Sequence, residues 1–372
     1  MHDPSKLLSL AGLRGFAMLW VMVAHVVLLP AYDAGFGMKL DTGWMEAPLQ
    51  FVQAAVDIFI LLSGFFLYRN YHAQLRPGTR GWVLDKFYLL RFARLWPVHM
   101  LATLWMGWIH FAGIAHPIVS GLEEQMMQYW PLTLLLNATL MQAWGIFPVA
   151  SWNEPAWTIS ALWFVYIIFP AWIGLVQRAH TATRQLLGIA AMLLLLELLP
   201  RYVSGLSMTD GFGCLLRAFC FFMMGCFTCR LSEERAGGLW QHSAVVALVV
   251  ALFLLGTIRF VFHAPYALIF IHWLYPLLVF CLARSSGVIA RALSCRPLLW
   301  VEKISYSFYL LHYPFVLVVK HYFGGWYAGL GDDQPLLWLH LLLLTLALCL
   351  LCWPVMRYVE QPIYQWVRRK LM

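Results

Sequence analysis

Apolar runs broken by short polar connections set the rhythm of this chain. Runs near twenty residues recur at 8–30, 47–68, 95–117, 156–177, 185–203, 212–229, 239–262, 265–283, 304–322 and 335–357. About twenty helical residues cross a hydrocarbon core of about 30 Å. The runs are continuous and do not alternate apolar with polar, which predicts helices and argues against a membrane β-barrel. The pattern predicts an all-α polytopic integral membrane protein, a bundle of about ten transmembrane helices, with residues 1–372 as one membrane domain. One further stretch, "YWPLTLLLNATLMQAWGIF" at 129–147, is apolar enough to span, but doing so would move Arg178 and Arg184 to the outer side. It is expected to be re-entrant or buried in the bundle, where protein shields its backbone.

Composition agrees. Apolar residues make up 62% and charged residues 11%, against about a quarter charged in soluble domains; the mean hydropathy is +0.73. The net charge of +8 reports topology and gives no reason to expect nucleic acid. Arg69, Arg76, Arg80, Lys86, Arg91 and Arg94 lie between the second and third runs. Arg284, Arg291, Arg296 and Lys303 lie between the eighth and ninth, and Arg368, Arg369 and Lys370 close the chain. Asp33, Asp41, Glu46, Asp332 and Asp333 fall in connections of the opposite set. By the positive-inside rule both termini are expected in the cytoplasm. Arg14 interrupts the first run and no small-residue cleavage site follows, so that run reads as a retained span and not a signal peptide. The two CxxC pairs, Cys226/Cys229 and Cys349/Cys352, sit inside apolar runs, where cysteine packs as a small hydrophobe. His110 and His116 lack companions to complete a metal site, and none is expected. The sequon Asn137-Ala138-Thr139 lies in an apolar segment and reads as chance.

The first run carries the chemistry that lipid does not explain. In "LRGFAMLWVMVAH" Arg14 and His25 are eleven residues apart, almost three turns at 3.6 residues per turn, so both project from one face about 16 Å apart. They are too distant to touch, yet two ends of one long ligand could meet them. An arginine at a helix centre costs about 2.5–3.5 kcal/mol on insertion scales; a snorkelling arginine and a histidine bonded to a neighbouring helix is the plain alternative. Asp57 in the second run is expected to be paired, with an arginine or with the first-run histidine. Ser63-Gly64 reads as a close-packing point. His312, beside Pro314, either orients substrate or bonds the backbone freed by that proline. Glu360 is expected to pair with a loop arginine.

Six segments together resemble membrane acyltransferase family 3. "GLRGFAMLWVMVAH" resembles its opening signature, an arginine, ten residues and a histidine. "VDIFILLSGFFL" (56–67), "RFARLWP" (91–97), "EPAWTISALWFVYIIFP" (154–170), "ISYSFYLLHYPF" (304–315) and "YVEQPIY" (358–364) follow in the family's order. The resemblance implies an O-acyltransferase without an appended esterase-like domain, in the cytoplasmic membrane of a bacterium. It implies transfer of an acyl group, acetyl foremost, from acetyl-CoA or another acyl-CoA to a hydroxyl of a surface polysaccharide or lipid-linked saccharide. A small molecule such as an antibiotic is the alternative acceptor. Other envelope-polysaccharide biosynthesis proteins would be partners, beside membrane lipid, and no cofactor would be permanently bound. His25 would be catalytic, accepting a hydroxyl proton or the acyl group itself. Arg14, Arg91 and Arg94 would bind the donor's phosphates. Asp57, Ser63, Trp157, Ser160, His312 and Glu360 would bind substrate or support the site. One departure stands out: residues 157–162 read "WTISAL", and Leu162 occupies a position where the family pattern has a glutamate. Two rivals carry the same buried charges, a proton-coupled transporter and an inactive scaffold. The absence of an inverted repeat counts against the transporter, and Leu162 is the best support for the scaffold.

Overall fold

Every apolar run that is described folds as helix. The computed structural model describes residues 5–23, 25, 52–76, 78–114, 129–147, 152–202, 211–233, 242, 245–252, 267–329 and 333–371, and no strand occurs among them. The helices are α1 (Ser5–Val23), α2 (Val52–Tyr71), α3 (Trp82–Phe111), α4 (Pro131–Ala138), α5 (Trp157–Arg178), α6 (Ala182–Tyr202) and α7 (Gly211–Glu233). They continue with α8 (Ala267–Arg284), α9 (Val288–Leu293), α10 (Arg296–Gly329), α11 (Gln334–Val355) and α12 (Gln361–Lys370). Glu154–Ala156 forms a 3₁₀ turn leading into α5, and Met356–Glu360 a π turn joining α11 to α12. Residues 245–252 are helical; the rest of the run expected at 239–262, the connection holding Asp33, Asp41 and Glu46, and His116 and Asp332 lie outside the described residues.

The protein is a helical membrane protein. Among the described residues four stretches are long and apolar enough to cross a bilayer: Glu154–Arg178, Ala182–Leu199, Gly211–Glu233 and Pro335–Lys370. The ten expected spans are therefore matched only in part. α2, α3 and α10 also have the length to span, and they carry many of the side chains that build the site described below. A second difference concerns the basic connection after α2. α3 begins at Trp82, so Lys86, Arg91 and Arg94 stand on helix and not in a loop.

Two glycines clamp α2 to α7. A Cβ on Gly64 would lie 2.0 Å from the Phe222 carbonyl oxygen, and one on Gly225 would lie 1.9 Å from that of Leu61. Small residues let backbones approach this closely. Gly64 thus makes the contact, while the Ser63 hydroxyl bonds the Phe59 carbonyl at 2.8 Å. Around the clamp lie the fully buried rings of Phe65, Tyr68, Phe169, Phe221, Phe222 and Tyr275.

The 129–147 segment does not cross. Its one helix, α4, has eight residues, about 12 Å at 1.5 Å per residue. Turns follow, and neighbouring helices satisfy its backbone. His99 Nε2 donates to Asn137 O at 3.0 Å and Trp96 Nε1 to Ala138 O at 2.9 Å. Ser160 Oγ donates to Leu140 O at 2.9 Å and accepts from the Ala143 N–H at 3.1 Å. Such partners let irregular backbone exist at membrane depth. The four cysteines of the CxxC pairs are free and buried, and Asn137 of the sequon is fully buried.

Candidate active site

α1 presents one stripe to a cavity. Leu7, Ala11, Arg14, Met18 and Val21 line it at spacings of four and three, as one helix face must; His25 is the next position on that stripe. Two glycines seat the helix. A Cβ at Gly12 would meet Leu293 O at 1.6 Å, and one at Gly15 would meet Leu298 O at 2.3 Å. α1 consequently lies against α9 and α10, with Arg14 beside Glu302 and His25 beside His312. The ascending order of both pairs makes α1 and α10 parallel. Glu302, Tyr306, Tyr309 and His312 form the facing stripe on α10.

The cavity encloses about 460 Å³, within the usual range of small-molecule sites, about 300–1,000 Å³. Three arginines, Arg14, Arg91 and Arg94, reach it, and they are not equivalent. Arg14 stands 3.4 Å from both Glu302 Oε1 and Ser63 Oγ, with its guanidinium 4.7 Å from the Phe59 ring centre. Arg94 pairs with the buried carboxylate of Glu360, which also accepts from Ser307 Oγ at 2.8 Å. Arg91 donates to the Tyr71 hydroxyl at 3.3 Å and has no carboxylate partner among the described residues. Its Nε, like that of Arg14, is buried without a hydrogen-bond partner. Three cations therefore meet two carboxylates, and Arg91 carries the charge left over. Beyond this polar end the walls are largely apolar: Met18, Val21, Ala55, Ile60, Ile159 and Leu162. Leu162 faces the cavity, so the expected glutamate position is part of the site even though the carboxylate is not.

One turn beyond Val21, outside the residues that line the cavity, two imidazoles meet. The ring centres of His25 and His312 are 4.7 Å apart, edge to face at 63°. His25 Nδ1 lies 2.8 Å from Val21 O, and His312 Nδ1 lies 2.7 Å from Tyr309 O. A carbonyl oxygen only accepts, so in the neutral rings both bonds assign the hydrogen to Nδ1 and leave Nε2 as the basic nitrogen. The arrangement thus combines an arginine-rich cavity with largely apolar walls and, one turn further along the same face of α1, a pair of imidazoles each with a basic Nε2.

A family model described as an acyltransferase domain matches residues 7–357. The chain belongs to the acyltransferase-3 family. Among relatives of this family chain, the acyltransferase MdmB of Streptomyces mycarofaciens is 30% identical over 175 residues, 46% of this chain and 41% of its own. YrhL of Bacillus subtilis, named as a peptidoglycan O-acetyltransferase, is 23% identical over 381 residues, 95% of this chain and 54% of its own. Protein 2 in the picA locus of Rhizobium radiobacter is 26% identical over 213 residues, 52% of this chain and 94% of its own. The chain thus spans about half or less of the length of MdmB and YrhL. No solved structure matches it.

Within this acyltransferase-family chain the expected site residues separate into two groups. Arg14, Ser63, Arg91 and Arg94 line the cavity, and Glu360 holds Arg94 there. Asp57, Trp157 and Ser160 do not line it, and neither do His25 and His312, which meet each other one turn beyond Val21. Asp57 is paired with a residue that the motif reading passed over, Arg217 of α7, through bonds of 2.8 and 3.0 Å. Arg217 also donates to Gln53 at 2.9 Å and lies 5.9 Å from the Trp157 ring centre, so Trp157 belongs to this ion pair's shell. Ser160 spends its hydroxyl on the 129–147 segment. His312 does not bond the backbone freed by Pro314. That carbonyl, Leu310 O, accepts from Asn153 Nδ2 at 2.9 Å. Glu302 was also missed; its position ten residues before His312 nearly repeats the Arg14–His25 spacing and was the available signal. Among the described residues no group of His, Cys, Asp and Glu is placed to hold a metal.

Proposed function

We propose that this chain is an integral-membrane O-acyltransferase that moves an acetyl group from acetyl-CoA to a hydroxyl of a surface polysaccharide or its lipid-linked precursor. The observation that carries the reading is a cavity lined by Arg91 and Arg14 that follows one face of α1 as far as Val21, one helical turn short of His25 on the same stripe. A coenzyme A donor has phosphates at one end and a thioester at the other, joined by a flexible arm. The arginines suit the phosphates, because guanidinium groups bind them with paired, charge-assisted bonds. Arg91, uncompensated by a carboxylate, is the principal phosphate ligand in this account. The apolar walls suit the arm, and Nε2 of His25 suits the thioester end. The basic connections favour a cytoplasmic face for the arginine end. Membership of the acyltransferase-3 family supports the reaction class, and the O-acetyltransferase name of the Bacillus relative supports acetyl and a glycan acceptor.

The test follows radiolabel from acetyl-CoA into extractable glycans, using membranes that contain wild type, His25→Ala or Arg91→Ala protein. Wild type is expected to transfer label, and His25→Ala to lose transfer while still binding donor. Arg91→Ala is expected to weaken donor binding about tenfold or more, from losing charged hydrogen bonds of about 1.5–3 kcal/mol. Undiminished transfer by His25→Ala would refute the assignment.

A further inference from the structure

His312 is costly to keep and unexplained by packing. It is fully buried in α10, and its Nε2 has no hydrogen-bond partner. A leucine or phenylalanine would fill the position without leaving a buried acceptor unpaired. The bend at Pro314 does not need it either, since Asn153 satisfies the freed Leu310 carbonyl. What His312 does have is a neighbour, the His25 ring at 4.7 Å, with both Nδ1 atoms held by backbone carbonyls.

We propose that the two histidines divide the proposed transfer between them, His25 as the nucleophile that carries the acetyl group and His312 as the base that activates the acceptor hydroxyl. The inference rests on the acyltransferase reading above and specifies its site. In the first step His25 Nε2 attacks the thioester carbonyl; the N–C bond forms, the C–S bond breaks, and coenzyme A leaves as the thiolate. The acylated Nε2 can no longer take a proton, and Nδ1–H remains on the Val21 carbonyl. The incoming hydroxyl therefore needs another base, and the His312 ring stands 4.7 Å away with its Nε2 unpaired. In the second step the hydroxyl oxygen attacks the acetyl carbon, its proton passes to His312 Nε2, and the C–N bond to His25 breaks. The thiolate takes a proton from water and His312 returns one, so the sum is one acetyl ester and one thiol.

Hydroxylamine separates the two roles, because it is nucleophilic enough to take an acetyl group from an acyl-imidazole without a base. Coenzyme A release from acetyl-CoA is measured in membranes with wild type, His25→Ala, His312→Phe and His312→Gln, with and without hydroxylamine. Retained donor binding certifies that each variant is folded. The His312 variants are expected to lose transfer to glycan by about a hundredfold or more, as removal of a general base does. Hydroxylamine should return their coenzyme A release to near the wild-type rate, and His25→Ala should stay inactive under both conditions. A folded His312 variant that hydroxylamine fails to rescue, or that transfers to glycan at the wild-type rate, would overturn the division of roles. A wild type that releases no coenzyme A at all would instead overturn the acyltransferase reading beneath it.

Discussion

Arg217 and Asp57 show how much one residue can decide inside this bundle. Both are almost fully buried and their pairing is two-pronged. Removing one partner of a buried ion pair leaves an uncompensated charge and costs about 3–5 kcal/mol. Arg217→Ala should therefore lower the melting temperature of the detergent-solubilised protein sharply, and Asp57→Leu with Arg217→Leu should recover most of it. A single variant no less stable than the double would contradict the pairing as a structural unit. The sequence made Asp57 conspicuous as a carboxylate in an apolar run. Arg217 was equally exceptional in its own run, but nothing local to either residue says which cation meets which carboxylate. Arg14 and His25 were legible for the opposite reason, since a 3.6-residue period within one helix projects both from the same face. That His312 rather than a carboxylate would stand beside His25 depends on how α1 docks, which no single run encodes.

At the scale of elements, the docking of α1 rests on Gly12 and Gly15. These small positions flank Arg14, and without them α1 could not approach the carbonyls of Leu293 and Leu298. Gly15→Val is expected to push α1 away from α10, loosen the Arg14–Glu302 contact and separate the histidines, abolishing transfer. Gly325→Ala, where an added Cβ meets nothing within 4 Å, should leave the rate within about twofold of wild type, as surface substitutions away from special features usually do. Equal behaviour of the two would show that α1 seating does not govern the site. Periodicity and length predicted most helices, and charge placement correctly kept 129–147 from being a span. The long α3 was harder to foresee, because Lys86, Arg91 and Arg94 looked like connection residues. They are tolerated on a helix because Arg94 finds Glu360, Arg91 finds the Tyr71 hydroxyl, and both arginines reach the cavity.

For the whole molecule, the proposed function requires a passage from the arginine-lined cavity, whose wall on α1 ends at Val21, to the histidine pair. The residues that line the cavity come from α1, α2, α3, α5 and α10, parts of the chain separated by up to about three hundred positions, so only the assembled bundle defines it. Leu162, where the resemblance leads one to expect a glutamate, fits this cavity. Leu162 adds to its apolar wall, and the two carboxylates present, Glu302 and Glu360, are both placed against arginines. Met18 lies between Arg14 and His25 on the lining stripe and is the natural point to block the passage. The decisive measurement is acetyl transfer by Met18→Trp, made beside binding of adenosine 3′,5′-bisphosphate, the nucleotide portion of the donor. The bisphosphate is expected still to bind at the arginine end while transfer from acetyl-CoA is lost. Transfer at the wild-type rate through a plugged passage would contradict that expectation.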